Sequence, residues 1–323
     1  AGASVDVVRV GASPELEDVL VVAALGGPDR STRATAVDAL NADDVVIVQH
    51  EYGLFEGADG ESVIELMAAI DAPIVVVAHT VLSHPSANQR RVLEHVCAAA
   101  DAVVVMTETA RTRLLDGYSV EHTKVSLIPH GAATPAAAPV VESRRNGDPA
   151  RVLTWGLLGP GKGIEWAIDA LDELRDVDPH PEYVVAGSTH PKVRERHGEA
   201  YREMLVERAA ASDSAAHVTF DDTYRDLASL TELIQSADLV VLPYDSRDQV
   251  TSGVLVDAVA AGRPVVSTAV PHAVELLSSG AGLVVPPGDP GAGGPALRTG
   301  RTATPGAAAL AGAARRRAPG RGG

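Results

Sequence analysis

The stretch Gln249–Thr268 reads QVTSGVLVDAVAAGRPVVST. A polar turn through Thr251, Ser252 and Gly253 leads into a short apolar helical run. Gly262, Arg263 and Pro264 close that run before a valine strand begins. A turn, a helix and a buried strand in this order make half of a βαβ unit, so the stretch argues for a parallel sheet flanked by helices. The turn also has chemistry. Hydroxyls at the start of a helix either cap it or, with its free N–H groups, meet an anion. Asp257 lies one turn further on, where its carboxylate either favours the helix dipole or reaches back to ribose hydroxyls beside a phosphate.

Outward from this stretch the same alternation recurs. Val5–Val10, Asp44–His50, Pro73–Thr80, Ala102–Thr107 and Lys124–Gly131 read as strands rich in β-branched residues, with helical periodicity over Ser62–Ile70, Ala87–Ala100 and Glu108–Tyr118. A second series runs through Arg151–Leu157, Glu182–Ser188, Ala216–Asp222, Ala237–Tyr244, Arg263–Thr268 and Gly282–Gly288, with helices expected over Gly163–Asp176 and Leu227–Ala237. Between the series lies the proline-rich Ala132–Ala150. The expected fold is α/β, two Rossmann-like domains facing across a cleft: residues 1–140, a linker at 141–150, and residues 151–290. The first domain lacks room for an opening βα unit. Residues 291–323, rich in Gly, Ala, Pro and Arg, read as a disordered tail.

Composition narrows the function. The 323 residues are 46% hydrophobic with a formal net charge of −16, a balance that lacks the clustered cations a nucleic-acid surface needs. One cysteine, Cys97, excludes an intrachain disulfide or a cysteine-rich zinc site. No apolar run is long enough for a membrane span and no signal-like start is present, so the expected compartment is cytoplasmic.

The second chemical stretch is Trp155–Leu171, WGLLGPGKGIEWAIDAL. A strand ends in a glycine-rich turn and a helix begins near Gly163, so N–H groups and the positive helix end converge beside Lys162. Phosphate or pyrophosphate suits such a place, and a tight turn with a solvated lysine is the plain alternative. Gly163 stands where a P-loop would need Ser or Thr. His79 and His84 lack a third partner at metal spacing, so no metal site is expected.

In order and spacing, the Gly156–Lys162–Gly163 turn, Val184–Ser188 (VVAGS), Leu230–Tyr244 and Ser252–Val266 resemble the nucleotide-sugar domain of retaining GT-B glycosyltransferases, the family that includes sucrose synthase and bacterial mannosyl- and glucosyltransferases. The resemblance covers about Val5 to Pro287. It implies transfer of a sugar from a UDP- or GDP-sugar co-substrate to an acceptor hydroxyl with retained anomeric configuration, no required metal and no other cofactor. It also implies roles: Lys162 on the donor phosphates, with Leu157 where an Arg often stands; Gln249 and Asp257 at the positions of a Glu-x7-Glu pair, on the sugar and on the ribose; and Thr251, Ser252, Gly253 and Val254 at the distal phosphate and sugar. Gly156, Gly161 and Gly187 belong to the same donor surface. His79 matches a histidine at the sugar, which makes His79, Lys162 and Gln249 the catalytic candidates. His50, Glu51, Tyr52, Gly53 and His130 are the remaining acceptor-side candidates, the acceptor being a sugar, lipid or small molecule. The alternatives are a catalytically silent sugar-nucleotide-binding fragment and a GT-B nucleotide-sugar epimerase or hydrolase.

Overall fold

The computed structural model describes residues 3–11, 20–26, 30–132, 147–246, 250–278 and 280–302. The chain divides into two compact units, Ala1–Pro129 and His130–Gly323. Both are α/β, as expected, and each is described by itself. Of the expected linker, residues 141–146 lie outside the described residues, as do Gln249 and the tail beyond residue 302.

The first unit holds strands β1 (Val7–Val10), β2 (Val21–Leu25), β3 (Val46–His50), β4 (Ile74–Ala78), β5 (Ala102–Val105) and β6 (Val125–Leu127). Its helices are α1 (Arg30–Leu40), α2 (Ser62–Met67), α3 (Ala87–Ala99) and α4 (Glu108–Gly117). Strands β3 to β6 pair in consecutive order, all parallel, while β1 and β2 form a separate parallel pair. Helix starts follow local chemistry. Ser86 and Gln89 satisfy each other's backbone N–H groups to open α3, and the Thr107 hydroxyl accepts from Ala110 N to open α4. Strand β2 and helix α1 were not expected. The alanines in VVAAL blur the strand signal, and a short apolar run of this kind reads equally as helix.

The second unit holds β7 (Arg151–Trp155), β8 (Glu182–Ala186), β9 (Val218–Asp221), β10 (Leu239–Leu242), β11 (Val265–Thr268) and β12 (Gly282–Val285). Its helices are α5 (Ile164–Asp172), α6 (Pro191–His197), α7 (Ala200–Ala211), α8 (Leu227–Ser236), α9 (Gly253–Ala260), α10 (Pro271–Leu277) and α11 (Pro290–Thr302). All strands are parallel, in the order β12-β11-β10-β7-β8-β9. This is the Rossmann order, and successive connections leave in opposite directions from the neighbours β7 and β10. Ligands bind at such a switch point, outside the carboxyl ends of the strands. Every residue of β10 and β11 is buried, because both sheet faces are covered. Leu158, Ile168 and Leu239 pack in a cluster with α5, whereas Leu153, Leu242 and Leu255 pack in another with α9.

Helix α11 corrects the expectation that nothing packs from residue 291 onward. Its glycines form a contact face rather than a loose chain. A Cβ at Gly294 would lie 2.5 Å from Glu173 Cβ, and one at Gly293 would lie 2.9 Å from Ala170 Cβ. Their absence lets α11 close on α5, where Leu297 is buried and Arg298 pairs with Asp176 at 2.7 Å. Burying that leucine stabilises the contact by about 2 kcal/mol.

Candidate functional site

The turns that follow β7 and β10 meet through the backbone. Gly156 and Gly187, just past β7 and β8, both have positive φ (111° and 142°), and a Cβ on Gly187 would sit 2.0 Å from the Gly156 carbonyl oxygen. Gly163 precedes α5 in the left-handed region (φ 66°), and a Cβ there would sit 1.9 Å from the Pro243 carbonyl oxygen. Gly161, also at positive φ, accepts a bond from Asp245 N at 3.1 Å. Only glycine allows these approaches, so the glycine-rich turn is a device for bringing the loop after β7 against the loop after β10.

Lys162 rides on that turn. Its ammonium lies 5.2 Å from the centre of the Tyr244 ring, and it has no ion-pair partner among the described residues. Burial pushes its pKa down, since a half-buried ammonium without a carboxylate has lost water and gained little in return. Tyr244 is buried and its hydroxyl lies 3.1 Å from Ser252 Oγ.

Ser252 caps α9, its Oγ accepting from Leu255 N at 3.2 Å. Its own amide donates to His272 Nδ1 at 2.8 Å. The N–H groups of Gly253 and Val254 have no acceptor among the described residues, and the Thr251 hydroxyl is buried and unpartnered there. Val254 also touches the glycine turn, its Cγ2 lying 3.6 Å from where a Gly156 Cβ would be. Asp257, half-buried one turn on, has its pKa raised by burial, with His130 opposing the shift. His130, expected on the acceptor side, belongs with this second unit. Its Nε2 lies 3.4 Å from a Cβ built on Gly253, and its Nδ1 is 2.6 Å from Gly131 O. Thus Gly156, Gly161, Lys162, Gly187, Thr251 and Ser252 lie on turns at the carboxyl ends of the strands, and Gly253, Val254 and Asp257 lie in the first turns of α9 that follow. Sequence reasoning missed Tyr244 as a floor for Lys162 and His272 as a partner for Ser252. Pro271-His272, directly after a strand end, was the available signal.

In the first unit, side chains hold the candidates. His79 Nε2 lies 2.7 Å from Gln49 Oε1, and Thr80 Oγ1 donates to Glu51 Oε2 at 2.6 Å, so side chains tie the ends of β3 and β4 twice beside the main-chain bond from His79 N to His50 O at 3.1 Å. Glu51 also accepts from Tyr52 N at 3.0 Å, which occupies both carboxylate oxygens. His50 is fully buried, edge-on to the Tyr52 ring at 5.3 Å, and neither ring nitrogen has a partner among the described residues. Its pKa falls to about 4, chiefly through burial and secondly through His79. Gly53 is exposed in the turn that follows. Among the described residues, no group of three His, Cys, Asp or Glu is placed to hold a metal, and no helix is long and apolar enough to cross a membrane.

Two family profiles match the chain: Glycosyltransferase Family 4 over residues 2–134 and Glycosyl transferases group 1 over residues 149–298. Among solved structures, Anabaena Alr3699/HepE in complex with UDP-glucose is similar at a TM-score of 0.69 and 19% identity, over 92% of this chain and 81% of that one. A UDP-forming α,α-trehalose-phosphate synthase from Burkholderia xenovorans gives 0.68 and 16%, over 88% and 73%. A glycosyltransferase from Rickettsia africae gives 0.64 and 15%, over 85% and 73%. No curated protein sequence matches. With one glycosyltransferase profile on each unit and a fold shared with these enzymes, the chain belongs to the GT-B glycosyltransferases.

Proposed function

We propose that this protein transfers a sugar from a UDP-sugar to an acceptor hydroxyl with retention of anomeric configuration, the second unit holding the donor. One observation carries the proposal. Among the described residues, a half-buried lysine without a counter-ion and two N–H groups without an acceptor at the start of α9 lie together at the switch point. A cation beside free N–H groups at a helix start suits an anion, and a diphosphate fits that chemistry. Uridine is favoured because the similar HepE structures hold UDP or UDP-glucose and the trehalose-phosphate synthase is UDP-forming.

In this reading Lys162 and the N–H groups of Gly253 and Val254 bear on the donor phosphates. They stabilise charge as the bond between the sugar and the distal phosphate breaks and its electron pair passes to the phosphate oxygen. The acceptor oxygen bonds to the same face of the sugar, and its proton passes to the departing phosphate. Asp257 holds the ribose hydroxyls. From the family resemblance, Gln249 and His79 contact the transferred sugar. Lysine and helix end provide the charge compensation, so chelation leaves the rate unchanged.

The test is incubation of the full chain with a UDP-sugar panel and acceptor hydroxyls. UDP release coupled to a new glycoside, with the anomeric coupling constant of the donor sugar preserved, is expected. Inverted product refutes retention, and absence of UDP binding by calorimetry refutes the donor site.

A further inference from the structure

Ser252 sits at the centre of the donor turn, and two neighbouring elements fix its two polar groups. Its hydroxyl serves the first turn of α9 and approaches the Tyr244 hydroxyl. Its amide points the other way, toward His272, the second residue of α10. Both Ser252 and His272 are 4% exposed, so this bond is shielded from competing water. A backbone amide only donates, so Nδ1 presents its lone pair and the ring proton sits on Nε2. A buried N–H deprived of its acceptor turns toward any other acceptor within reach or stays unsatisfied at a cost.

We propose that His272 is a positioning residue for the donor diphosphate: by engaging the Ser252 amide from the side of α10, the imidazole fixes the turn so that the next two amides, Gly253 and Val254, remain free and aimed at the phosphates. The resemblance to known transferases assigned the anion to Ser252 together with its neighbours. The observed bond removes the Ser252 amide from that role and gives it to the two residues after it. Pro271 supports the arrangement, since a proline in the first turn of α10 fixes the backbone that presents His272. The inference rests on the proposed donor site, and its failure is separable from failure of that proposal.

The experiment compares binding of UDP and of uridine to the full-length chain with His272 intact, with His272→Leu and with His272→Asn. Leucine keeps the bulk and removes the acceptor, whereas the asparagine amide oxygen can occupy the place of Nδ1. UDP affinity about tenfold weaker in His272→Leu, with uridine affinity unchanged and UDP affinity restored by His272→Asn, is the expected result. Equal weakening of UDP and uridine, or unchanged UDP affinity in His272→Leu, overturns the inference. A wild-type chain that does not bind UDP overturns the donor site itself and this inference with it. Should His272→Leu fail to fold, nitrogen-15 spectra of the wild-type chain decide. The inference requires a bare Nδ1 and UDP-induced shifts at the Gly253 and Val254 amides larger than at Ser252; a proton on Nδ1, or the largest shift at Ser252, overturns it.

Discussion

The carboxyl ends of β3 and β4 in the first unit and of β7 and β10 in the second are held together by different means. The first pair carries side-chain ties, Gln49 to His79 and Glu51 to Thr80, added to one main-chain bond from His79 N to His50 O at 3.1 Å. In the second, the turns meet by backbone approach, Gly187 against Gly156 and Gly163 against Pro243, with hydrogen bonds from main-chain groups. The difference decides what is left over for a ligand. In the first unit Glu51 is consumed by the ties, although the His50 ring nitrogens have no hydrogen-bond partner among the described residues. In the second, construction from backbone leaves Lys162 and the N–H groups of Gly253 and Val254 uncommitted among the described residues. A site that must receive a charged ligand gains from being built by groups that are not themselves the contacts.

The comparison can be broken most severely at the glycines. Gly163→Ala is expected to cost about 3 kcal/mol or more, since it adds a collision with backbone to left-handed strain. Gly262→Ala, where φ is 69° and no atom lies within 4 Å of the added Cβ, is expected to cost only about 1 kcal/mol. Urea denaturation measures both, and equal losses would mean that close approach does not define the second site.

The pH dependence of stability probes the first unit. His50 has its pKa lowered from 6.5 to about 4, so between those values the unfolded chain binds the proton and the folded chain does not. Stability rises with pH across this window and is lost as pH falls from 6.5 to 4, by about 3 kcal/mol in total from this group. The denaturation midpoint of wild type relative to His50→Leu should fall on acidification; a difference independent of pH contradicts the burial of a neutral imidazole.

Lys162→Met should weaken UDP binding by about 10–100-fold, as expected for losing a charged hydrogen bond, while the thermal midpoint stays level or rises because a poorly solvated charge is removed. Unchanged affinity in calorimetry would take Lys162 out of the site. The smallest effect is expected from Thr80→Val, about 1 kcal/mol of stability with UDP affinity intact, because only one side-chain tie in the first unit is lost. A fall in UDP affinity would mean that the two units are not separate in function.

Glycine made the donor site legible. A turn that works through missing side chains must be written with glycines at fixed places, so Gly156, Gly163 and Gly187 stood out in the chain. Buried strands were legible for a similar reason: LVVL in β10 has no polar position to suggest an exposed face. The first unit was less readable because its ties are between polar residues about thirty positions apart, and no local pattern announces Gln49 with His79. Strand β2 was hidden by its alanines. Helix α11 was hidden by the glycines that let it pack, since the same residues serve loose chain and close helix contact alike.

The sequence by itself determined two α/β units, the series of parallel strands, the glycine turns and Lys162, because each depends on local periodicity or on conformations that only certain residues adopt. The tertiary structure decided which groups are committed and which are free. His130 lies with Gly253 and Asp257, Glu51 is taken by Thr80, and the Ser252 amide is taken by His272. Hydrogen-bond pairing depends on distance in space, and the residues that complete a strand-end turn come from elements whose separation along the chain carries no record of it.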